Sequence, residues 1–146
     1  MNKILTFIIN KDKKILLLHN NYEDLSHGGD IWYTVTGAVE ECDKDILDTV
    51  KREVKEETNI DIKESIYQNV KLKYTNRNIE CVEYVYVSYI DNYDIKLNEE
   101  WIDYKWLNID EFILNCHWYY DKEVLNNILS KALNKELYYK EELELL

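Results

Sequence analysis

Residues 45–58 have the clear periodicity of an amphipathic helix. Strand-like segments precede and follow this helix in the chain. The apolar residues Ile46, Val50 and Val54 recur at helical spacing, joined by Leu47 one step round. A helix with such an apolar stripe is stable when the stripe is buried against another layer of the protein. The segment therefore predicts a helix that packs on a sheet.

Candidate capping residues mark both ends of this helix. Asp43 or Asp45 can accept a hydrogen bond from its first turn, and Asn59 can adopt the left-handed conformation that ends a helix. The other apolar runs predict strands at 4–9, 15–18, 32–36, 60–74, 80–91 and 102–107, helices at 109–114 and 124–133, a polar loop at 19–31, and an acidic tail at 136–146 that frays or packs on a partner. This order predicts an α+β sandwich with a mixed sheet, in a single domain over residues 1–146.

The charge of the chain narrows the classes of partner. Its formal net charge is −11, which argues against a nucleic-acid scaffold or a basic membrane-surface binder, since both depend on patches of lysine and arginine. Small polyanions remain open as substrates, because a divalent cation turns an acidic cluster into a phosphate site.

The cysteines and the N-terminus predict a cytoplasmic protein. Cys42, Cys81 and Cys116 are odd in number and lack paired spacing, so we expect neither a disulfide framework nor a zinc site. Residues 1–10 lack a small-residue cleavage site and do not predict a signal peptide. No apolar run approaches the length of a membrane span.

Three glutamates in the predicted helix form the strongest candidate for a site. Glu53, Glu56 and Glu57 stand at i, i+3 and i+4, so their carboxylates lie on one face and repel each other. Carboxylate oxygens are ligands that Mg²⁺ and Mn²⁺ prefer, and a cation relieves the repulsion. Arg52 can hold a carboxylate by a forked hydrogen bond, and Gly37 ends the preceding strand where backbone can approach a ligand.

A helix rich in lysine and glutamate is more often a plain solvated face. Here the glutamates follow a strand-ending Gly37 and a Val39-Glu40 pair at a fixed spacing. That combination favours a site over a solvated surface.

The segment 37–60 resembles the Nudix box, whose pattern is G-x5-E-x7-R-E-U-x-E-E-x-G-U with U a bulky aliphatic residue. The matching residues are Gly37, Arg52, Glu53, Val54, Glu56, Glu57 and Ile60. Asp43 stands where the first glutamate belongs, and eight residues rather than seven separate it from Arg52. Cys42 replaces a common loop glycine, and Asn59 replaces the late glycine while keeping access to positive φ.

This resemblance implies a Nudix-type α/β/α sandwich with a mixed β-sheet and a hydrolase that cleaves diphosphate linkages. It implies that Mg²⁺ or Mn²⁺ is the cofactor and that Arg52 orients the carboxylates. The implied metal ligands are Glu53, Glu56, Glu57 and the carbonyl of Gly37, and the implied general base is Glu53 or Glu100.

A second segment narrows the resemblance. Residues 100–107, E-W-I-D-Y-K-W-L, resemble the run E-H-x-x-Y-x-W-L of bacterial dihydroneopterin triphosphate pyrophosphohydrolases, with Trp101 in place of the histidine. A nucleoside or pterin triphosphate is the substrate class this implies. Other substrates stay open, namely dinucleoside polyphosphates, oxidised nucleotides and nucleotide sugars. The chain could also be a catalytically weak module that binds a nucleotide. A homodimer is also open.

Other residues have a plainer interpretation beside the functional one. Glu100 is either a base or a turn charge. The histidines His19, His27 and His117 are more typical of surface residues than of a base, and the aromatic residues Trp32, Trp101, Trp118 and Tyr119 are either core residues or a surface that stacks on a ring.

Overall fold

The structure is a computed structural model that describes residues 1–20, 30–91 and 94–146. These residues form one mixed sheet and three helices, so the α+β class and the mixed sheet are confirmed. The elements in chain order are β1 (Asn2–Ile9), β2 (Ile15–Asn20), β3 (Trp32–Tyr33), β4 (Val35–Ala38), α1 (Ile46–Thr58), β5 (Glu64–Asn76), β6 (Ile79–Tyr89), β7 (Trp101–Leu107), α2 (Ile109–Asn115), α3 (Lys122–Ala132) and β8 (Leu143–Leu145).

The sheet runs in the order β3-β2-β1-β6-β5-β8, with β4 added to β1 and β7 added to β2. Strand β1 pairs parallel with β6 and antiparallel with β4, so it lies near the centre of the sheet. The predicted strands at 4–9 and 15–18 form a hairpin, β1 and β2, with Ile9 opposite Ile15 at its turn.

Helices cover both faces of this sheet. Leu5, Phe7 and Ile9 of β1 pack in a core with residues of α2 and α3. Ile8 points to the opposite face and packs in a second core with Val54 of α1. The alternation of side chains along a strand thus produces the α/β/α sandwich.

Helix α1 forms as its sequence predicts. The side chain of Asp45 caps the N-terminus by accepting a hydrogen bond from the Asp48 N–H at 2.8 Å. Asn59 ends the helix in the left-handed conformation, with a φ of 63°. Val50 and Val54 are fully buried, and each such side chain contributes about 1.5–3 kcal/mol of transfer free energy. This burial fixes which face of α1 carries the site.

The predicted strand at 32–36 is divided in two. Tyr33 pairs with Leu18 of β2, whereas Val35 pairs with Thr6 of β1. Thr34 lies between them, and its buried hydroxyl donates to the carbonyl of Thr6 at 2.6 Å. The chain therefore changes partner strand at Thr34, which single-strand periodicity does not reveal.

The tail adds a strand instead of fraying. Strand β8 pairs parallel with β5, and Leu143 and Leu145 pack against the core beside α3. The predicted loop at 19–31 begins later than expected, because His19 and Asn20 belong to β2, and residues 21–29 lie outside the described residues. Within the described chain, no helix is long and apolar enough to cross a membrane.

Candidate active site

Arg52 connects helix α1 to the loop before it. Its Nε and Nη2 atoms donate to the two carboxylate oxygens of Asp43, each at 2.9 Å, in a forked pair. Nη2 also donates to the carbonyl of Ala38 at 2.9 Å, and Nη1 donates to Glu53 Oε1 at 2.8 Å. One guanidinium therefore fixes the loop, the end of β4 and the first glutamate of the cluster together.

Asp43 has a role that its irregular spacing concealed. Besides Arg52, its Oδ2 accepts hydrogen bonds from the Glu40 N–H at 2.9 Å and from the Thr49 hydroxyl at 2.8 Å. The hydrogen bonds from Arg52, followed by that from Glu40, hold the pKa of Asp43 well below its usual range. The extra residue is accommodated in the turns before α1, so Asp43 still reaches Arg52.

Gly37 is required by the close approach of helix α1. A Cβ atom at this position would overlap the Cγ and carboxyl group of Glu53. The absent side chain lets the Glu53 carboxylate lie directly against β4. Burial raises the pKa of Glu53, and the hydrogen bond from Arg52 opposes that rise.

Glu57 is the most deeply buried carboxylate of the cluster, with 2% of its surface exposed. Its Oε1 accepts a hydrogen bond from the indole N–H of Trp101 at 2.7 Å, while its Oε2 has no hydrogen-bond partner among the described residues. Burial, followed by the nearby charge of Glu100 and the neighbouring Glu53, raises the pKa of Glu57 to about 10. A buried carboxylate among like charges, with an unpaired oxygen, is a fitting ligand for a cation.

The other predicted site residues take different positions around Glu57. The side chain of Glu56 is 54% exposed and lies 3.4 Å from Arg52 Nη1. Glu100 lies near enough to act on the pKa of Glu57. The oxygen donors suit a hard divalent cation. In the described ranges, no three aspartate, glutamate, histidine or cysteine side chains already stand in a metal-binding arrangement, so the ligand set stays a prediction.

Trp101 and Asp43 are the two site residues that sequence reasoning did not assign. The position of Trp101 directly after Glu100 was a signal, because the related motif carries a histidine there. The signal for Asp43 was its place at the first-glutamate position of the box, which the insertion obscured.

A cavity of about 600 Å³ opens on the sheet face that carries α2 and α3. Thr36 lines it and is followed in the chain by Gly37, so the cavity adjoins the strand that the carboxylate cluster touches. Its charged lining residues are Lys3 and Glu83, and its aromatic lining residues are Tyr33, Tyr74, Tyr119 and Tyr120.

Most of the other aromatic and histidine candidates have structural partners. Trp32 stacks on His19 with ring centres 4.2 Å apart, and the backbone N–H of Trp32 donates to His117 Nδ1 at 3.1 Å. Trp118 is buried against Phe7. Of the stacking candidates only Tyr119 lines the cavity, and His27 lies outside the described residues.

Comparisons with known proteins place this geometry in a family. The profile of the NUDIX domain matches residues 2–128. The MutT protein of Methanosarcina mazei has a similar structure, with a TM-score of 0.72, 21% identity, and coverage of 93% of this chain and 96% of that one. The Escherichia coli dihydroneopterin triphosphate pyrophosphohydrolase gives a TM-score of 0.71 and 21% identity, over 88% and 94% of the two chains.

A third similar structure is an Ap4A hydrolase of Caenorhabditis elegans, with a TM-score of 0.64, 21% identity, and coverage of 81% of this chain and 87% of that one. Among curated proteins, none matches the sequence. At this level of identity the structural likeness establishes the fold and leaves the substrate open.

Proposed function

This chain belongs to the Nudix family and is a hydrolase of that class, and we propose that it is a metal-dependent pyrophosphohydrolase that cleaves a diphosphate linkage in a nucleoside or pterin triphosphate. The observation that carries the proposal is the buried Glu57, whose Oε2 lacks a hydrogen-bond partner among the described residues while further carboxylates surround it. Such an arrangement is costly without a cation and favourable with one.

The residues divide the work as follows. Glu53, Glu56 and Glu57, with the carbonyl of Gly37, would hold Mg²⁺ or Mn²⁺. When bound, the cation neutralises phosphate charge and lowers the pKa of an attacking water.

Arg52 keeps the Glu53 carboxylate in place, since it is itself held by both oxygens of Asp43. Glu53 or Glu100 takes the proton from the water as it attacks phosphorus.

The similar structures support the class of substrate without selecting one member of it. One is named for dihydroneopterin triphosphate and another for Ap4A, and both linkages are phosphoanhydrides. The cavity beside β4 is large enough for a ring system, since ligand pockets typically occupy about 300–1,000 Å³. A triphosphate whose ring enters this cavity would carry its phosphates round the edge of β4 to reach Gly37 and α1, which covers the other face of the sheet.

The test is release of phosphate or pyrophosphate from nucleoside triphosphates, a pterin triphosphate and dinucleoside polyphosphates, each with Mg²⁺, with Mn²⁺ and with EDTA. Turnover that requires the metal supports the proposal, and the preferred compound names the substrate branch. If a folded protein binds nucleotides without turning over any of them, the chain is a binding module and the proposal fails.

A further inference from the structure

Glu83 is a buried carboxylate at the wall of the cavity, far along the chain from the Nudix box. Only 5% of its surface is exposed. The Tyr74 hydroxyl donates to Glu83 Oε2 at 2.9 Å, and Lys3 Nζ lies 3.8 Å from the same oxygen. Lys3 and Glu83 are direct neighbours on the parallel strands β1 and β6, so both side chains project into the cavity side by side.

Burying the charged Glu83 side chain costs free energy that an apolar side chain would not cost. A buried carboxylate loses most of its hydration, and Lys3, whose side chain is 23% exposed, offsets that loss only in part from 3.8 Å away. The neighbouring inward positions of these strands, Leu5 and Val85, are apolar and fully buried. Glu83 therefore interrupts the apolar pattern of β6 where the sheet borders the cavity of about 600 Å³, which indicates a binding role.

The chemistry of the pair defines its ligand. A carboxylate accepts hydrogen bonds at two oxygens, and the ammonium group beside it donates hydrogen bonds and accepts none. The complementary edge carries a carbonyl oxygen, a ring N–H and an exocyclic amino group in a row. That row is the 2-amino-4-oxopyrimidine edge that guanine and pterin rings share.

We propose that Lys3 and Glu83 select substrates whose ring carries this 2-amino-4-oxopyrimidine edge, with Glu83 accepting the ring N–H and the amino group and Lys3 donating to the carbonyl. Tyr33 and Tyr119, whose rings lie 5.7 Å apart edge to face, stand among the cavity walls as surfaces for the ring. The inference rests on the proposed function and adds the identity of the ring to it.

The first experiment uses the unaltered protein with GTP, ITP and XTP in the presence of Mg²⁺. ITP lacks only the 2-amino group, and XTP places an oxygen there that faces the carboxylate. We expect kcat/KM to fall at least about tenfold from GTP to ITP and further to XTP, as for a lost hydrogen bond to a buried charged group. Equal turnover of GTP and ITP overturns the inference and leaves the proposed function standing.

Glu83→Gln then tests the residue itself. Glutamine keeps the shape but places an amino donor where an acceptor is needed, so the GTP-to-ITP ratio should fall towards one. Glu80→Gln, at an exposed position of the same strand, is the matched control and should keep the ratio of the unaltered protein. A ratio that Glu83→Gln leaves unchanged contradicts the assignment to Glu83.

Two further measurements distinguish a purine from a pterin substrate, and distinguish failure of this inference from failure of the proposed function. Comparing GTP with dihydroneopterin triphosphate shows whether a purine or a pterin is preferred, and rejection of both in favour of ATP or UTP overturns the inference. If no triphosphate is hydrolysed, the affinities for GMP and IMP, measured by calorimetry, test the ring selectivity directly. Selective binding of GMP upholds the inference while the proposed function fails, and equal or absent binding overturns the inference.

Discussion

Glu57 and Glu83 are both buried carboxylates, but their surroundings carry opposite charge. Glu57 is surrounded by Glu53 and Glu100, and burial together with those charges raises its pKa to about 10. Burial also raises the pKa of Glu83, but there Lys3 and Tyr74 oppose the rise. The carboxylate cluster thus needs a positive charge from outside, whereas the cavity pair carries its own. The difference separates a place for a cation from a place for a neutral, polar ring.

The largest effect is expected at the cluster, from Glu57→Gln. Losing a carboxylate ligand removes several kcal/mol of charge stabilisation in the transition state, which corresponds to a fall in kcat of about a thousandfold. The metal-free protein should unfold at the same or a higher temperature, because a neutral amide avoids the proton uptake that burial beside Glu100 and Glu53 imposes on Glu57 when the protein folds. Phosphate release and thermal unfolding in EDTA measure the two expectations.

Glu80→Gln is the control for this change, since it removes an exposed carboxylate outside the cluster. Full turnover by the Glu57→Gln protein would remove Glu57 from the metal site.

Asp43→Asn should lower kcat about 10- to 100-fold, as loss of a residue that orients a metal ligand does. Arg52 would lose one arm of the forked pair that positions it against Glu53. The pH dependence of stability gives a second readout. The pKa of Asp43 is lowered on folding, so its contribution is present above its ordinary value of 3.8 and is lost as the pH falls below that value.

The unaltered protein should therefore lose stability on acidification below pH 3.8 more steeply than Asp43→Asn does. Acid titrations followed by circular dichroism would show this. If both proteins lose stability equally as the pH falls, the forked pair of Asp43 and Arg52 does not contribute to the pH dependence of stability.

Lys3→Met tests the pair of Lys3 and Glu83 at the cavity. Removing the ammonium group leaves the buried Glu83 carboxylate with its hydrogen bond from the Tyr74 hydroxyl and without a compensating charge, so the free energy of unfolding should fall by about 1–3 kcal/mol. Thermal unfolding of the Lys3→Met protein, with Glu57→Gln beside it, sharpens the comparison. The cavity variant should be destabilised while the cluster variant is not, and the reverse order would break the distinction between the two regions.

Trp101→Phe should lower kcat about tenfold and raise the Mg²⁺ concentration needed for half-maximal activity. Phenylalanine keeps an aromatic ring in the core but loses the N–H that holds Glu57 Oε1. Trp118→Phe is the matched control, because it loses an indole hydrogen bond to the Asp121 carbonyl away from the cluster. A change in Mg²⁺ requirement in both variants would assign the effect to general loosening of the fold.

The smallest effect is expected outside both regions, from Lys71→Met. Lys71 pairs with Glu142 at 2.7 Å and Glu144 at 3.4 Å where the tail strand β8 joins the sheet. Surface ion pairs contribute little to stability, so we expect a change in Tm below about 2 °C and no change in kcat. A loss of activity would connect the tail to the site.

Local sequence patterns predict the buried side and the ends of helix α1. Val50 and Val54 set the buried side of α1, and the carboxylates follow from it: Glu57 is buried on that side, while Glu53 and Glu56 lie next to it. Asp45 and Asn59 set the ends of α1, since capping depends on the nearest few residues. These features depend on interactions within about one helical turn, so spacing along the chain is enough to predict them.

The sequence by itself determined the α+β class and the carboxylates of α1, whereas the strand predicted to end at Gly37 continues to Ala38. Only the tertiary structure decided that Trp101 donates to Glu57 and that Lys3 and Glu83 meet across β1 and β6. The two members of that pair are 80 positions apart, and nothing local distinguishes a parallel register from its neighbours. Contacts between distant segments depend on how whole layers pack, and that information is not contained in any one stretch of the chain.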